Sequence, residues 1–310
     1  MLGPDMLAFI EETARYYPDD AVDRSIEEQR AIYDRMAEAF TPPRPLGVTV
    51  EEAALALPGR TLRLRAYRGV TGGTSGTAIY LHGGGFVVGG LDSHDIVTAQ
   101  LAALTDTTVL AVDYRLAPEH RYPAAHHDCY EVIKAVIDGS LPLACPNHRI
   151  VLLGDSAGGN IAASAALWLR ETGQRQVDGM VLFYPGLAPD PTPPARDDEA
   201  HAPMLTLADV RYYKKVYLGD QKPDHLTSPL LADDLTGMPS TLLLPVEHDP
   251  LRDDCTLFLQ RLTAAGVPAD LHLGKGLVHG CLRAMGRSEG VDLLLQKAAD
   301  FLEKTTHSAR

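Results

Sequence analysis

The sequence predicts an α/β protein with a mostly parallel central sheet and helices on both faces. Three observations lead there. From residue 77 onward, strand-length apolar runs alternate with helix-length patterns, which implies parallel strands covered on both sides. Arg149-Ile150-Val151-Leu152-Leu153 is apolar and partly β-branched, as a buried strand is, while residues 161–169 suit a helix. Between them, Gly154-Asp155-Ser156-Ala157-Gly158-Gly159-Asn160 has to turn strand into helix. At 310 residues the chain is long enough for one large domain or two smaller ones, and for a substantial core.

Residues 1–45 read as helical. Ser25-Ile26-Glu27-Glu28 forms a capping box ahead of Ile32, Met36 and Phe40, whose four-residue spacing makes an apolar stripe. Pro42, Pro43 and Pro45 stop that helix. Val48-Thr49-Val50 and Leu62-Arg63-Leu64-Arg65-Ala66-Tyr67 alternate on either side of Pro58-Gly59, predicting an antiparallel edge to the sheet. After a Gly/Ser/Thr-rich loop at 69–76 come a strand at 77–81, a helix near 94–104, a strand at 108–112 and a helix opened by Pro123 and running to about Asp138. Beyond residue 160 the pattern gives strands at 179–184 and 241–245, a helix at 253–265, a strand at 270–273, a turn at Gly274-Lys275-Gly276 and a last helix over about 289–304. One insertion breaks the alternation. Residues 189–203 are rich in proline and acid, and Thr206-Leu207-Ala208-Asp209 then opens a helix carrying Val210, Tyr213 and Tyr217. The chain therefore divides into N-terminal cap helices (1–45), a first part of the core (46–188), a cap insertion (189–222) and a second part of the core (223–310), with the helices of 1–45 and 189–222 forming a lid.

A net charge of −13 repels nucleic acid and anionic membranes. The first ten residues lack a secretory pattern, and no stretch of about 18 apolar residues suggests a membrane span, so the reading is a cytoplasmic protein. Cys129, Cys145, Cys255 and Cys281 show neither C-x-x-C nor His/Cys ligand spacing. They are read as reduced and mostly buried, with no metal site, disulfide framework or organic cofactor.

The chemistry centres on Ser156. In G-x-S-x-G the serine sits on a sharp strand-to-helix turn, where Gly154 and Gly158 allow a close approach and the helix N-terminus favours negative charge. The pattern alone arises by chance in roughly one chain in ten of this length. Its strand and helix context raises it above that. His82-Gly83-Gly84-Gly85-Phe86 follows a strand directly, so its glycine N–H groups lie at the carboxyl rim of the sheet, where two of Gly83, Gly84 and Gly85 can bind an oxyanion together with the N–H of Ala157. A phosphate loop fits less well, since no G-K-[ST] is present. His82 reads as a structural hydrogen-bonding residue. His279, in the loop after the last strand, is the candidate base, and His201, His225, His248 and His272 are weaker rivals. Asp249 is the candidate acid, with Glu247 and Asp253 as alternatives and Asp253 better suited to capping the next helix. Phe86, beside the glycines, and Tyr213, on the lid helix, are assigned to the substrate-binding lining.

These stretches, with Asp113-Tyr114-Arg115-Leu116-Ala117-Pro118-Glu119, Tyr122-Pro123-Ala124-Ala125 and Asp249-Pro250-Leu251-Arg252-Asp253, span about residues 78–281. Together they resemble the hormone-sensitive-lipase-like (bacterial family IV) carboxylesterases of the α/β-hydrolase superfamily, in which the triad follows the chain order Ser, Asp, His. The resemblance implies an α/β-hydrolase fold with a helical cap, Ser156, Asp249 and His279 as the triad, and Gly84, Gly85 and Ala157 as the foremost oxyanion donors. It also implies a small ester as substrate, of short-to-medium acyl chain, frequent homodimers, and a buried ion-pair network of Arg115 with its acidic neighbours. Departures fall at Phe86, where many relatives carry tryptophan, and at Cys281, where phenylalanine is frequent. A small-molecule receptor on the same fold, and an amidase or peptidase using the same residues, are the competing functions.

Overall fold

The computed structural model describes residues 1–18 and 20–307; Asp19 and residues 308–310, which belong to the 1–45 and 223–310 segments, lie outside the described residues. The chain opens with helices α1 (Pro4–Ala14) and α2 (Ile26–Phe40), then a hairpin of β1 (Thr49–Leu57) and β2 (Arg60–Arg68). Alternation follows through β3 (Thr77–Leu81), α3 (Asp95–Leu104), β4 (Thr108–Asp113), α4 (Ala124–Asp138), β5 (Ile150–Asp155), α5 (Ala157–Glu171) and β6 (Gly179–Phe183). After the short α6 (Ala195–Asp198) and α7 (Leu207–Leu218) come β7 (Ser240–Leu244), β8 (Val246–His248), α8 (Arg252–Ala264), β9 (Ala269–Leu271), β10 (Gly274–Val278) and α9 (Glu289–His307).

Among the described residues the main sheet has the order β1-β2-β4-β3-β5-β6-β7-β9. The β1–β2 and β2–β4 pairs are antiparallel, and every pair from β4–β3 to β7–β9 is parallel. Side chains alternate across the strands and sort into two apolar layers. Ile79, Leu110, Leu152 and Leu182 face α4, α5 and α8. Tyr80, Val109, Leu153 and Phe183 face α3 and α9, and α1 and α2 close this layer with Met6, Phe9, Met36 and Phe40. The capping box read at Ser25 and Glu28 forms on α2, and the helix start read at Thr206 forms a capping box with Asp209 on α7.

Several elements depart from the sequence reading. Strand β1 continues to Leu57 because it pairs residue for residue with β2, although its edge position leaves its outer face exposed and its pattern weak. Gly274-Lys275-Gly276 is not a turn: it lies in β10, which pairs in parallel with β8 in a separate two-stranded sheet. Glycine reads as a breaker in sequence, yet a Cβ on Gly274 would come within 2.8 Å of Leu277 and 3.2 Å of Val246, so it is the packing of the strands that requires it. Strand β9 ends at Leu271, and His272 lies beyond it with its N–H donated to Leu243 O at 2.9 Å. Asp253 does not cap α8, whose N-cap is Leu251. Arg115 pairs not with Asp113 or Glu119 but with the fully buried Asp128 of α4, at 2.8 Å from both Nε and Nη2, and Arg60 Nε reaches the same carboxylate at 2.6 Å. Asp113 instead faces Arg63, and Glu119 pairs with Arg30. Cys145 is half-buried while the other three free thiols are buried.

Leu152, fully buried at the centre of β5, tests the core. Leu152→Ala should lower the unfolding free energy by about 2–5 kcal/mol in a urea titration, whereas Leu293→Ala on the exposed face of α9 should stay within about 0.5 kcal/mol.

Candidate active site

Three loops bring the site together at the carboxyl ends of the strands. The first is the turn between β5 and α5. Ser156 has φ 52° and ψ −117°, an uncommon conformation for a residue with a side chain, held by its N–H bond to Phe183 O at 2.9 Å and by Asn160 N–H to Ser156 O at 3.1 Å. A Cβ on Gly158 would lie 1.9 Å from Leu81 O, and one on Gly154 would lie 2.3 Å from Gly158 C, so the backbones touch and neither position admits a side chain.

The second and third loops follow β8 and β10. Their pairing sets Val278 opposite His248, which leaves the next residues, His279 and Asp249, side by side. His279 Nδ1 lies 2.8 Å from Asp249 Oδ2, and Nε2 lies 2.9 Å from Ser156 Oγ. Asp249 is fully buried, and its Oδ1 accepts the N–H of Leu251 at 2.8 Å. A carboxylate only accepts, so the imidazole proton resides on Nδ1 and Nε2 is left to accept from the serine hydroxyl. Such a chain can take a proton from an attacking oxygen and return it to a leaving group. The alternative acids are engaged elsewhere. Glu247 Oε2 accepts from Gly276 N–H at 2.6 Å, and Asp253 accepts from Ala195 N–H at 2.8 Å while pairing with Arg252. His225 and His248 face Glu171 and Glu199, and His201 is exposed at the mouth of the site.

The glycine loop after β3 divides its N–H groups. Gly83 N–H is donated to Asp155 Oδ1 at 2.9 Å, so it braces the loop and is not open to an oxyanion, which narrows the expected donors. The N–H groups of Gly84, Gly85 and Ala157 have no acceptor among the described residues and border the cavity. Gly84 (φ 115°) and Gly85 (φ 60°) adopt left-handed backbone, and a Cβ on Gly85 would come within 2.5 Å of the Tyr213 ring. Asp155 also accepts from Tyr80 Oη at 2.7 Å and lies 3.5 Å from His94 Nε2. Burial pushes its carboxyl up, but His94, Tyr80 and Arg283 outweigh that and hold it well below the usual carboxylate range. His82 is buried, with Nδ1 2.8 Å from Gly83 O, and stacks on Tyr114. Cys281 is buried as well, and burial pushes its thiol up.

Above Ser156 lies a cavity of about 550 Å³. Its roof comes from α1, α2 and α7. Tyr213 lines it and shares a 2.9 Å hydrogen bond with Tyr17, tying α7 to the end of α1, and Phe86 lines it while stacked on Tyr217 at 3.8 Å. Tyr17, Tyr33, Lys214 and Arg283 also face it, though no sequence pattern marked them. Arg283 carries the one usable signal, a charge in the apolar run after His279-Gly280. Among the described residues no cluster of three His, Cys, Asp or Glu side chains could hold a metal ion, and no helix is long and apolar enough to cross a membrane.

The topology and the site together define a hydrolase of the α/β class. Residues 78–283 match the sequence family described as the alpha/beta hydrolase fold, and the chain belongs to that family, in its hormone-sensitive-lipase-like carboxylesterase branch. It is 37% identical over 254 residues to Carboxylesterase NlhH of Mycobacterium tuberculosis, covering 79% of this chain and 80% of that one. Among solved structures it is similar to the hyperthermophilic esterase of the archaeon Pyrobaculum calidifontis (TM-score 0.90, 31% identity, 98% of both chains). It is also similar to an esterase of the bacterial hormone-sensitive lipase family (TM-score 0.88, 25% identity, 99% of both chains). The chain is a carboxylic ester hydrolase.

Two expectations follow from the geometry. Gly158→Ala should cost about 3 kcal/mol in urea unfolding, because the added methyl meets backbone that cannot yield. Burial holds the imidazoles of His82 and His126 at about 3 and about 4. Unfolding restores the ordinary value near 6.5, so the unfolded chain binds more protons and stability falls as pH drops from about 6.5 towards 4. His126 alone should account for on the order of 3 kcal/mol of that fall, and urea titrations across the window should show a shallower slope for His126→Gln.

Proposed function

We propose that the protein is a serine esterase that cleaves short-to-medium acyl esters through Ser156, His279 and Asp249. The observation that carries this reading is the hydrogen-bonded chain from Asp249 Oδ2 through His279 to Ser156 Oγ, at 2.8 and 2.9 Å, facing a cavity bordered by unpaired N–H groups. His279 Nε2 accepts the Ser156 proton as Oγ attacks the ester carbonyl carbon, and the N–H groups of Gly84, Gly85 and Ala157 receive the oxyanion. Collapse expels the alcohol, protonated by His279, and leaves an acyl-serine. Water then attacks by the same route, His279 takes its proton, and the acid departs with Ser156 restored. Asp249 keeps the Nδ1 proton in place and stabilises the imidazolium. The roofed cavity of about 550 Å³ supports a limit on acyl length. The enzyme is placed in the cytoplasm on the sequence reading above, and the charge of −13 supports the absence of a nucleic-acid partner.

Hydrolysis of a p-nitrophenyl ester series from acetyl to palmitoyl tests the reading. The rate should peak among the shorter chains, and Ser156→Ala should lower kcat by on the order of 10⁴–10⁶. Asp249→Asn should cost about 10⁴. Turnover that survives Ser156→Ala would overturn the mechanism.

A further inference from the structure

Arg283 is a buried cation on the wall of the cavity, and among the described residues no carboxylate reaches it within ion-pair distance, although the buried Asp155 charge acts on it from further away. It lies in a 3-10 turn, Cys281–Ala284, that follows directly on His279 and Gly280, and it is 8% exposed. Its Nη2 donates to Tyr33 Oη at 2.7 Å and its guanidinium lies 4.8 Å from the centre of the same ring. Its Nε is buried with no hydrogen-bond partner, and the guanidinium forms no ion pair among the described residues. The nearby acid, Asp155, turns its oxygens to Tyr80, Gly83 and His94 instead. A guanidinium has five N–H donors and keeps its charge at any working pH; Asp155 offsets part of that charge but accepts none of these donors, so the buried guanidinium has room for an anion that accepts from it. The second cation on the wall is already satisfied: Lys214 Nζ donates to Ala188 O at 2.6 Å and Pro189 O at 2.7 Å. The rest of the roof mixes apolar Ile10, Met36 and Met204 with Tyr17, His201 and Asp209, and Asp209 Oδ2 is committed to the N–H and hydroxyl of Thr206.

We infer that Arg283 is a specificity-determining residue that binds a carboxylate carried by the substrate, so that the preferred esters are small and bear one free carboxylate. This rests on the esterase reading above. The reaction remains hydrolysis: the acyl C–O bond breaks, water supplies OH to the acyl carbon and H to the alcohol oxygen, and the second carboxylate is unchanged. The carboxylate can belong to the acyl part, as in a monoester of a short dicarboxylic acid, or to the alcohol part, as in an acylated hydroxy acid.

Two matched pairs separate these sources: monomethyl glutarate against methyl pentanoate, and acetoxyacetate against ethyl acetate, each followed by acid release at constant pH. In wild type the anionic member of one pair should have a kcat/KM about 10- to 100-fold higher, carried by KM, as a charge-assisted hydrogen bond provides. Arg283→Gln should bring that ratio to about 1, and Arg283→Lys should keep part of it. No preference in either pair, or a ratio that survives Arg283→Gln, overturns the inference. Calorimetry on the Ser156→Ala protein reads the subsite without turnover: glutarate should bind and neutral glutaramide should not. Glutarate binding without any ester turnover would leave the subsite standing and remove the esterase reading, and turnover of neutral esters without glutarate binding would do the reverse. If Arg283→Gln does not fold, the wild-type ratios, Arg283→Lys and the calorimetry decide.

Discussion

The contact between Gly158 and the end of β3 governs the geometry of the centre. With 1.9 Å between a would-be Cβ and Leu81 O, helix α5 packs against the strand as closely as backbone allows. That closeness forces the turn at Ser156 into left-handed backbone and lifts the hydroxyl off the sheet. It also brings Ala157, the first residue of α5, beside the glycine loop that leaves β3, so N–H groups from two separate segments border one cavity. Asp155, one residue earlier, ties that loop down through Gly83 N–H. The position of Ser156, the glycine loop and its anchor thus derive from one van der Waals constraint.

A second constraint positions His279 and Asp249. The short parallel pairing of β8 with β10 lies apart from the main sheet and places His279 next to Asp249 by register alone. A one-residue slip would move each side chain to the opposite face and break the 2.8 Å contact. Gly274 permits this pairing by leaving room for Val246 and Leu277.

The same acidic segment also holds the start of the 189–222 insertion. Asp254 accepts N–H groups of Leu187, Ala188 and Thr192, and Asp253 accepts that of Ala195, so the insertion is anchored to the start of α8 directly after the loop of Asp249. Lys214 of α7 closes the loop from the other side through the carbonyls of Ala188 and Pro189. Buried carboxylates that accept several backbone N–H groups make rigid anchors. The roof over Ser156 is therefore tied to the segment that carries Asp249, and its shape follows the position of α8.

What the sequence by itself determined is what a few neighbouring residues decide: the strand and helix periods of most elements from β3 onward, the capped helix starts at Ser25 and Thr206, the turn at Ser156, and the chain order of Ser156, Asp249 and His279. These depend on interactions within one turn or one strand, so they are visible in local pattern. Tertiary structure alone decided the partners. Ser156 and His279 are 123 residues apart, and His279 and Asp249 are 30 apart. The pairing of β8 with β10, the choice of Asp128 for Arg115, the commitment of Gly83 N–H to Asp155 and the isolation of Arg283 arise where distant segments meet. Hydrogen bonds and charges are satisfied by whatever group the fold brings within reach, and no periodicity along the chain records which group that is.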